Sequence, residues 1–135
     1  ERKAHVTSRA VFVGLAILMT LPLAASPAPA QEKLSTFMQR KLEHSGKLLE
    51  GLTREDFELI AKHSQAMSLL CVDEEWMVLQ TPEYRERSNE FRRSVNAITE
   101  AARSKNLDAA TLAYVDATMK CVACHKYVRK AQSDK

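Results

Sequence analysis

The feature that most constrains the fold is the scarcity of helix-breaking residues after position 30. Residues 31–135 contain only Gly46 and Gly51 as glycines and only Pro82 as proline. The same segment is rich in Ala, Leu, Glu, Lys and Arg, which favour helices, and it shows no strand-like alternation. The sequence therefore predicts an all-α domain.

Apolar side chains recur every three to four residues in four successive segments, which is the spacing of amphipathic helices. Short connections between helices of such length favour antiparallel neighbours. We therefore expect an antiparallel four-helix bundle. The clearest stripe belongs to the first helix and comprises Leu34, Phe37, Met38, Leu42, Ser45, Leu48, Leu49 and Leu52.

The helix boundaries are predicted from capping residues. Gly51 is expected to end the first helix in the C′ position, and Thr53 is expected to cap the second, with Asp56 as a capping-box partner. Thr81-Pro82-Glu83 has the cap, first-turn proline and acidic first turn of a third helix. An Asn or Asp of the segment KNLD, residues 105–108, is expected to cap the fourth.

Residues 1–30 have the pattern of a secretory signal peptide. A basic start is followed by an apolar run from Ala10 to Ala25, and Ala28-Pro29-Ala30 forms a small-x-small cleavage site before Gln31. The run is shorter than the about 20 residues of a membrane span. We expect an exported, periplasmic chain whose mature domain, residues 31–135, does not insert stably into the membrane after cleavage. An uncleaved anchor is the alternative.

The charge of the chain does not favour nucleic acid as a partner. Its formal net charge is +3, with 20 basic and 17 acidic side chains. A balance so close to neutral gives no indication of nucleic-acid binding.

The motif Cys121-Val122-Ala123-Cys124-His125 indicates chemistry, because C-x-x-C-H is the attachment pattern of c-type haem. At about 100° per helical residue, the two thiols and the imidazole fall on one face. Each thiol can then add to a vinyl group of the haem, and the imidazole of His125 can reach the iron. One covalently bound haem c is the predicted cofactor.

Other uses of a C-x-x-C pair agree less well with the sequence. A structural zinc site needs four ligands, but Cys71 is the only other cysteine and no two of the remaining histidines have ligand spacing. A thioredoxin-like dithiol would follow a strand of a βαβ unit, and no such unit is indicated. Cys71 is expected in the core, and His44 and His63 are expected on the surface.

A four-helix bundle with C-x-x-C-H on its last helix resembles the class II cytochromes c, the cytochrome c′ and cytochrome c-556 group. Cys121, Cys124 and His125 match the family's motif, and Arg129 matches its arginine beside the proximal ligand. The family often has tyrosine three residues after the histidine, whereas this sequence has its tyrosine two residues after. The resemblance implies an electron carrier rather than an enzyme, with a redox protein as partner and a homodimer as a common state.

The sixth position of the iron separates two functions within this family. A methionine from the first helix implies a low-spin haem that transfers electrons, whereas leucine or phenylalanine implies five-coordinate iron that binds NO or CO. In this sequence Met38 and Leu42 lie one turn apart on the first-helix stripe, and both remain candidates. We expect Met38 to be the ligand and the protein to transfer electrons. The same stripe offers no acid or base that would indicate an enzyme.

Overall fold

The computed structural model describes residues 29–74 and 79–134, with side chains from residue 34 onward except 74–78. This part of the chain is all helical and contains four helices and no strand. The helices are α1 (Pro29–Thr53), α2 (Phe57–Glu74), α3 (Pro82–Arg103) and α4 (Leu107–Ser133). The predicted all-α class is confirmed, and the helices form a four-helix bundle. The predicted signal peptide, apart from its last two residues, lies outside the described residues.

Side-chain pairs between α3 and α4 show that these helices run antiparallel. Thr81 pairs with Tyr127, Ser94 with Asp116, and Lys120 lies 4.0 Å from Glu90, so positions rise along α3 as they fall along α4. Each helix packs closely on the next one in sequence, whereas α1 and α4 barely touch. The bundle is therefore open along one side, between its first and last helices.

The core lies among the three closely packed helix pairs. The hydrophobic core cluster contains buried apolar residues of all four helices, among them Leu48, Leu52, Ile60, Met67, Cys71, Phe91, Val95, Ile98, Ala102, Ala110 and Ala117. The predicted burial of Cys71 is confirmed, since it is 2 % exposed.

The predicted first-helix stripe is only partly buried. Phe37, Leu48 and Leu52 are in the core, but Leu42 is 67 % exposed and Leu49 is 51 % exposed. The stripe is wider than the arc of α1 that α2 covers, and its outer edge faces the side where α4 stands away. The first-helix stripe therefore packs into the core only in part.

The connection between α1 and α2 differs from the predicted one. Gly51 is helical, Thr53 is the last residue of α1, and Glu55 takes the left-handed conformation with φ 55°. Asp56 N–H donates to Gly51 C=O and Glu55 N–H to Leu52 C=O, which is the Schellman arrangement. The N-cap of α2 is Asp56, whose carboxylate accepts from Leu59 N–H at 2.9 Å. The predictions that Gly51 is the C′ residue of α1 and that Thr53 caps α2 are therefore wrong.

Gly51 lies where α1 and α2 approach each other closely, not in the turn. We expect a side chain at this position to destabilise the fold. A Cβ at Gly51 would lie 2.8 Å from Ile60 Cγ1, whereas a Cβ at Gly46 would meet nothing within 4 Å. Gly51→Ala is expected to lower the free energy of unfolding by about 1–3 kcal/mol because of overpacking. Gly46→Ala, the matched control, is expected to raise it by up to about 1 kcal/mol because alanine favours the helix. Urea denaturation measures both, and stabilisation by Gly51→Ala would contradict the close contact.

The predicted starts of the last two helices are confirmed. Thr81 Oγ1 accepts from Tyr84 N–H ahead of Pro82, and Asn106 Oδ1 accepts from Ala109 N–H. Lys105 has φ 54°, so the α3–α4 turn repeats the left-handed residue of the α1–α2 turn. Among the described helices none has the length and hydropathy needed to cross a membrane.

Candidate functional site

A cavity of about 440 Å³ occupies the open side of the bundle, between α1 and α4. Its floor is formed by α2 and α3 through Met67, Tyr84 and Phe91. At the level of Ser45 the gap is closed, because Tyr114 O–H of α4 lies 3.2 Å from Ser45 Oγ and donates to the Ser45 carbonyl at 3.3 Å. Its size is in the range of about 300–1,000 Å³ that is common for small-molecule and cofactor sites.

The two cysteines and the histidine of the C-x-x-C-H motif all line this cavity. Cys121 and Cys124 are half-buried on α4, and His125 is exposed beside them. No disulfide joins the two cysteines. The helix positions both thiols and the imidazole on the side of α4 that faces α1, which is the shared face that the spacing predicts. Val128, one turn after Cys124, extends the apolar part of the wall.

Both candidates for the opposite side also line the cavity. Met38 and Leu42 project from α1 toward the motif on α4, together with Leu34. Met38 is half-buried, whereas Leu42 has most of its surface in solvent. The two helices thus bring a thioether and an imidazole to one cavity, although they are far apart in sequence.

The charges of the lining are one-sided. Four basic side chains and no Asp or Glu contribute to the cavity wall; the four are Lys41, Arg87, Lys120 and Arg129. A wall that is otherwise mostly apolar, with cations alone, favours an amphiphilic ligand that carries anionic groups. Arg129 also lines the cavity, and its side chain is exposed.

Arg87 is the most constrained of these cations. Its Nη2 donates to Glu83 Oε1 at 2.6 Å, and its guanidinium carbon lies 5.1 Å from the ring centre of Tyr127. Its Nε is buried and has no hydrogen-bond partner among the described residues. A buried N–H without an acceptor is costly, so an anionic acceptor beside Arg87 would satisfy it.

Tyr127 fixes the position of Arg87 from α4. Its hydroxyl lies 2.8 Å from Oγ1 of Thr81, the N-cap of α3. The tyrosine two residues after His125 therefore joins the motif helix to the start of α3 and supports a cation at the cavity. The sequence gives no signal for Arg87, because a single arginine on an amphipathic helix is usually a surface residue.

Lys41 is a second residue that the sequence reasoning missed. Its Nζ lies 5.0 Å from the ring centre of Phe91 and 5.3 Å from that of Phe37, within the range of cation–π contacts. It stands between Met38 and Leu42 on the cavity side of α1. Lys41 is outside the apolar stripe of α1, so the interpretation that the stripe itself offers no acid or base is not affected. The spacing of three residues between Met38 and Lys41 on α1 was the available sequence signal.

His44 and His63 lie outside the cavity, at the contact between α1 and α2. Their Nδ1 atoms are 2.8 Å apart, and both rings are half-buried. The prediction that both histidines lie on the surface is wrong in part, because each is half-buried and the two form a hydrogen-bonded pair. Partial burial, and then the charge of His44, lower the pKa of His63 below its usual value. The neutral form of His63 is therefore favoured at the α1–α2 contact.

The arrangement restricts which metals the chain could bind directly. No cluster of three or more His, Cys, Asp or Glu side chains suited to a metal occurs among the described residues. A metal that brings its own equatorial ligands needs only one or two axial donors from the protein, and the cavity supplies an imidazole and a thioether. Two thiols, an apolar wall and basic side chains for acidic groups complete a donor set that fits a haem.

Comparison with protein-family models, curated proteins and solved structures finds no match. The chemistry of the site therefore rests on the motif, the cavity and its charges.

Proposed function

We propose that the chain is a monohaem c-type cytochrome of the class II kind that transfers electrons. The main support for this proposal is the cavity between α1 and α4. Cys121, Cys124 and His125 line one wall of this cavity, and Met38 lines the other. A motif that arose by chance would have no reason to face an apolar cavity with a methionine opposite.

The roles of the residues follow from their chemistry. Cys121 and Cys124 would hold the haem covalently, because each thiol would add across one vinyl group, with its proton going to the second vinyl carbon and nothing released. His125 would hold the haem iron through an imidazole nitrogen, and Met38 would offer a soft sulfur donor that favours the reduced iron. The haem supplies reversible one-electron chemistry of its iron. Basic side chains of the wall receive its two carboxylates.

Gas binding is the second candidate function. Leu42 also lines the cavity, one turn from Met38, so a leucine rather than a sulfur could face the iron. The burial of the two side chains favours the first function, because Met38 is half-buried toward the cavity while Leu42 is largely in solvent.

Location and partner follow from the same proposal. Covalent haem attachment in bacteria occurs outside the cytoplasm, which agrees with the signal peptide predicted for residues 1–30. On the last turns of α4, Lys126, Arg129 and Lys130 are exposed, and Arg129 also lines the cavity. These charges would steer an acidic redox protein toward the C-terminal end of α4.

The test is covalent retention of haem colour. The protein, produced in a host that exports it and attaches c-type haem, is expected to keep its colour after unfolding and extraction with acid–acetone. The double variant Cys121→Ser, Cys124→Ser is expected to lose it. Cys71→Ser is the matched control and should retain it, because Cys71 is buried away from the cavity wall. Extraction of the colour from the unmodified protein would refute the proposal.

A further inference from the structure

His44 of α1 and His63 of α2 form a hydrogen bond that depends on their protonation. Their Nδ1 atoms are 2.8 Å apart, and both rings are half-buried. The rings are tilted by 48° with their centres 5.1 Å apart, so they meet through these nitrogens rather than by stacking. A hydrogen bond between two imidazole nitrogens needs one nitrogen to donate and the other to accept. At least one of the two Nδ1 atoms therefore carries no proton.

This histidine pair can accept one proton but not two. In the singly protonated pair the cationic ring donates to the neutral ring, so the hydrogen bond is kept. A second proton leaves two donors and two positive charges facing each other, and the contact becomes repulsive. The pair therefore joins α1 to α2 only while one of its rings stays neutral.

The surroundings of the pair oppose the second proton. Partial burial and then the charge of His44 lower the pKa of His63. Two further cations act in the same direction, Lys62 of α2 and Lys47 of α1, whereas Glu43 of α1 acts against them. None of these charges belongs to α3 or α4. Since the pKa of His63 is lower in the folded protein than in the unfolded chain, its contribution to stability is complete above about pH 6.5 and is lost as the pH falls further.

Loss of this contact would move α1 rather than α2. Ser64, next to His63, is fully buried, and its Oγ lies 2.7 Å from Thr99 Oγ1 of α3. α2 is therefore fixed to α3 at this level. α1 has little contact with α4, and among its described side chains before His44 only Phe37 is buried. The N-terminal half of α1 thus depends on α2 for its position.

The same half of α1 is one wall of the cavity, through Met38, Lys41 and Leu42 among others. We propose that the histidine pair is a pH-sensitive contact that releases the α1 wall of the cavity when its second imidazole takes up a proton. Acidic conditions would thereby widen the cavity, and neutral or alkaline conditions would restore it. The contact does not depend on haem, so the cytochrome proposal and this one can fail separately.

The test is amide hydrogen exchange of the protein as purified, from about pH 8 to about pH 5. Protection factors remove the intrinsic effect of pH on exchange. They should fall by about fivefold for residues 34–45 of α1, as expected for loss of one hydrogen bond, but not around Ile98 in the buried centre of α3. His63→Asn should abolish this response, because its amide oxygen can accept from His44 at any pH. Asn and His have similar helix propensities, so α2 should remain helical.

Two charges beside the pair provide a measurement that a merely structural role of the histidines would not affect. Lys62→Gln removes a cation that opposes the second proton, so protection should be lost from a higher pH. Glu43→Gln removes a carboxylate that favours this proton, so protection should be lost only at a lower pH. Both side chains are exposed, so neither change should alter the fold, and low ionic strength keeps the two shifts measurable.

Three results would overturn the proposal. The first is a wild-type α1 that is equally protected at both ends of the pH range. The second is an unchanged acid response in His63→Asn, because the loosening would then come from other groups. The third is that Lys62→Gln and Glu43→Gln fail to shift the response in opposite directions, which would exclude a proton on the histidine pair as its cause.

Discussion

Met38→Leu is expected to open the haem iron to carbon monoxide. Met38 is half-buried on the cavity side of α1, opposite His125, and leucine keeps the side-chain volume while removing the sulfur. The unmodified ferric protein should show the weak absorption band of methionine–iron ligation at about 700 nm, and the variant should lose this band completely. The reduced variant should bind carbon monoxide at once, whereas the reduced wild type should bind it slowly or not at all. The reduction potential of the Met38→Leu variant should also be lower than that of the wild type.

Two matched variants test whether Met38 is the residue that binds the iron. Met67→Leu removes the other methionine that lines the cavity, from the buried floor on α2, and should leave the absorption unchanged. Leu42→Ala should likewise leave it unchanged. Rapid carbon monoxide binding by the unmodified reduced protein would exclude Met38 as a ligand. Gas binding beside Leu42 would then become the better function.

The fold was largely predictable because local signals and packing agree. Thr81 and Asn106 have capping side chains immediately before helical patterns, and both caps form. The turn after α1 was mispredicted because two rules competed there. Gly51 is a common helix end, but its lack of a side chain is required by Ile60, and Glu55 takes the left-handed conformation in its place.

The wall that carries the C-x-x-C-H motif was predictable because the motif is local. The placement of Cys121, Cys124 and His125 on one face follows from helical spacing alone. The opposite wall, on α1, was not predictable. An apolar stripe on α1 does not reveal which of its residues faces α2 and which faces the gap beside α4. Leu42 and Met38 are equivalent in the pattern and differ only once the bundle is assembled.

The supporting charges could not be predicted, since they depend on contacts distant in sequence. Lys41 is held between aromatic rings of two helices, and Arg87 lies over Tyr127 of α4. Such residues look like ordinary surface cations in the sequence. Their common position at one cavity, without any acidic residue in the wall, appears only in three dimensions.

Arg87→Gln is expected to lower the reduction potential of the haem-loaded protein. A cation near the haem disfavours the ferric state, which carries one more positive charge, and Arg87 offers a buried Nε to a haem carboxylate. Without it, the ferric state is favoured by about tenfold in the redox equilibrium, or about 59 mV for one electron. Potentiometric titration followed by visible absorption measures the change.

The controls distinguish a buried contact from the general charge of the protein. Arg129→Gln removes an exposed cation of the same wall, so its effect should be smaller and should vanish at high salt, whereas that of Arg87→Gln should persist. Arg93→Gln, on the exposed side of α3, should change nothing. Glu83→Gln should raise the potential, because it removes the carboxylate that now shares the Arg87 guanidinium. If Arg87→Gln and Arg93→Gln gave the same potential as the wild type, the Nε of Arg87 would have no role in holding the haem. Covalent attachment through the cysteines would be unaffected by that result, because the two walls contribute by separate chemistry.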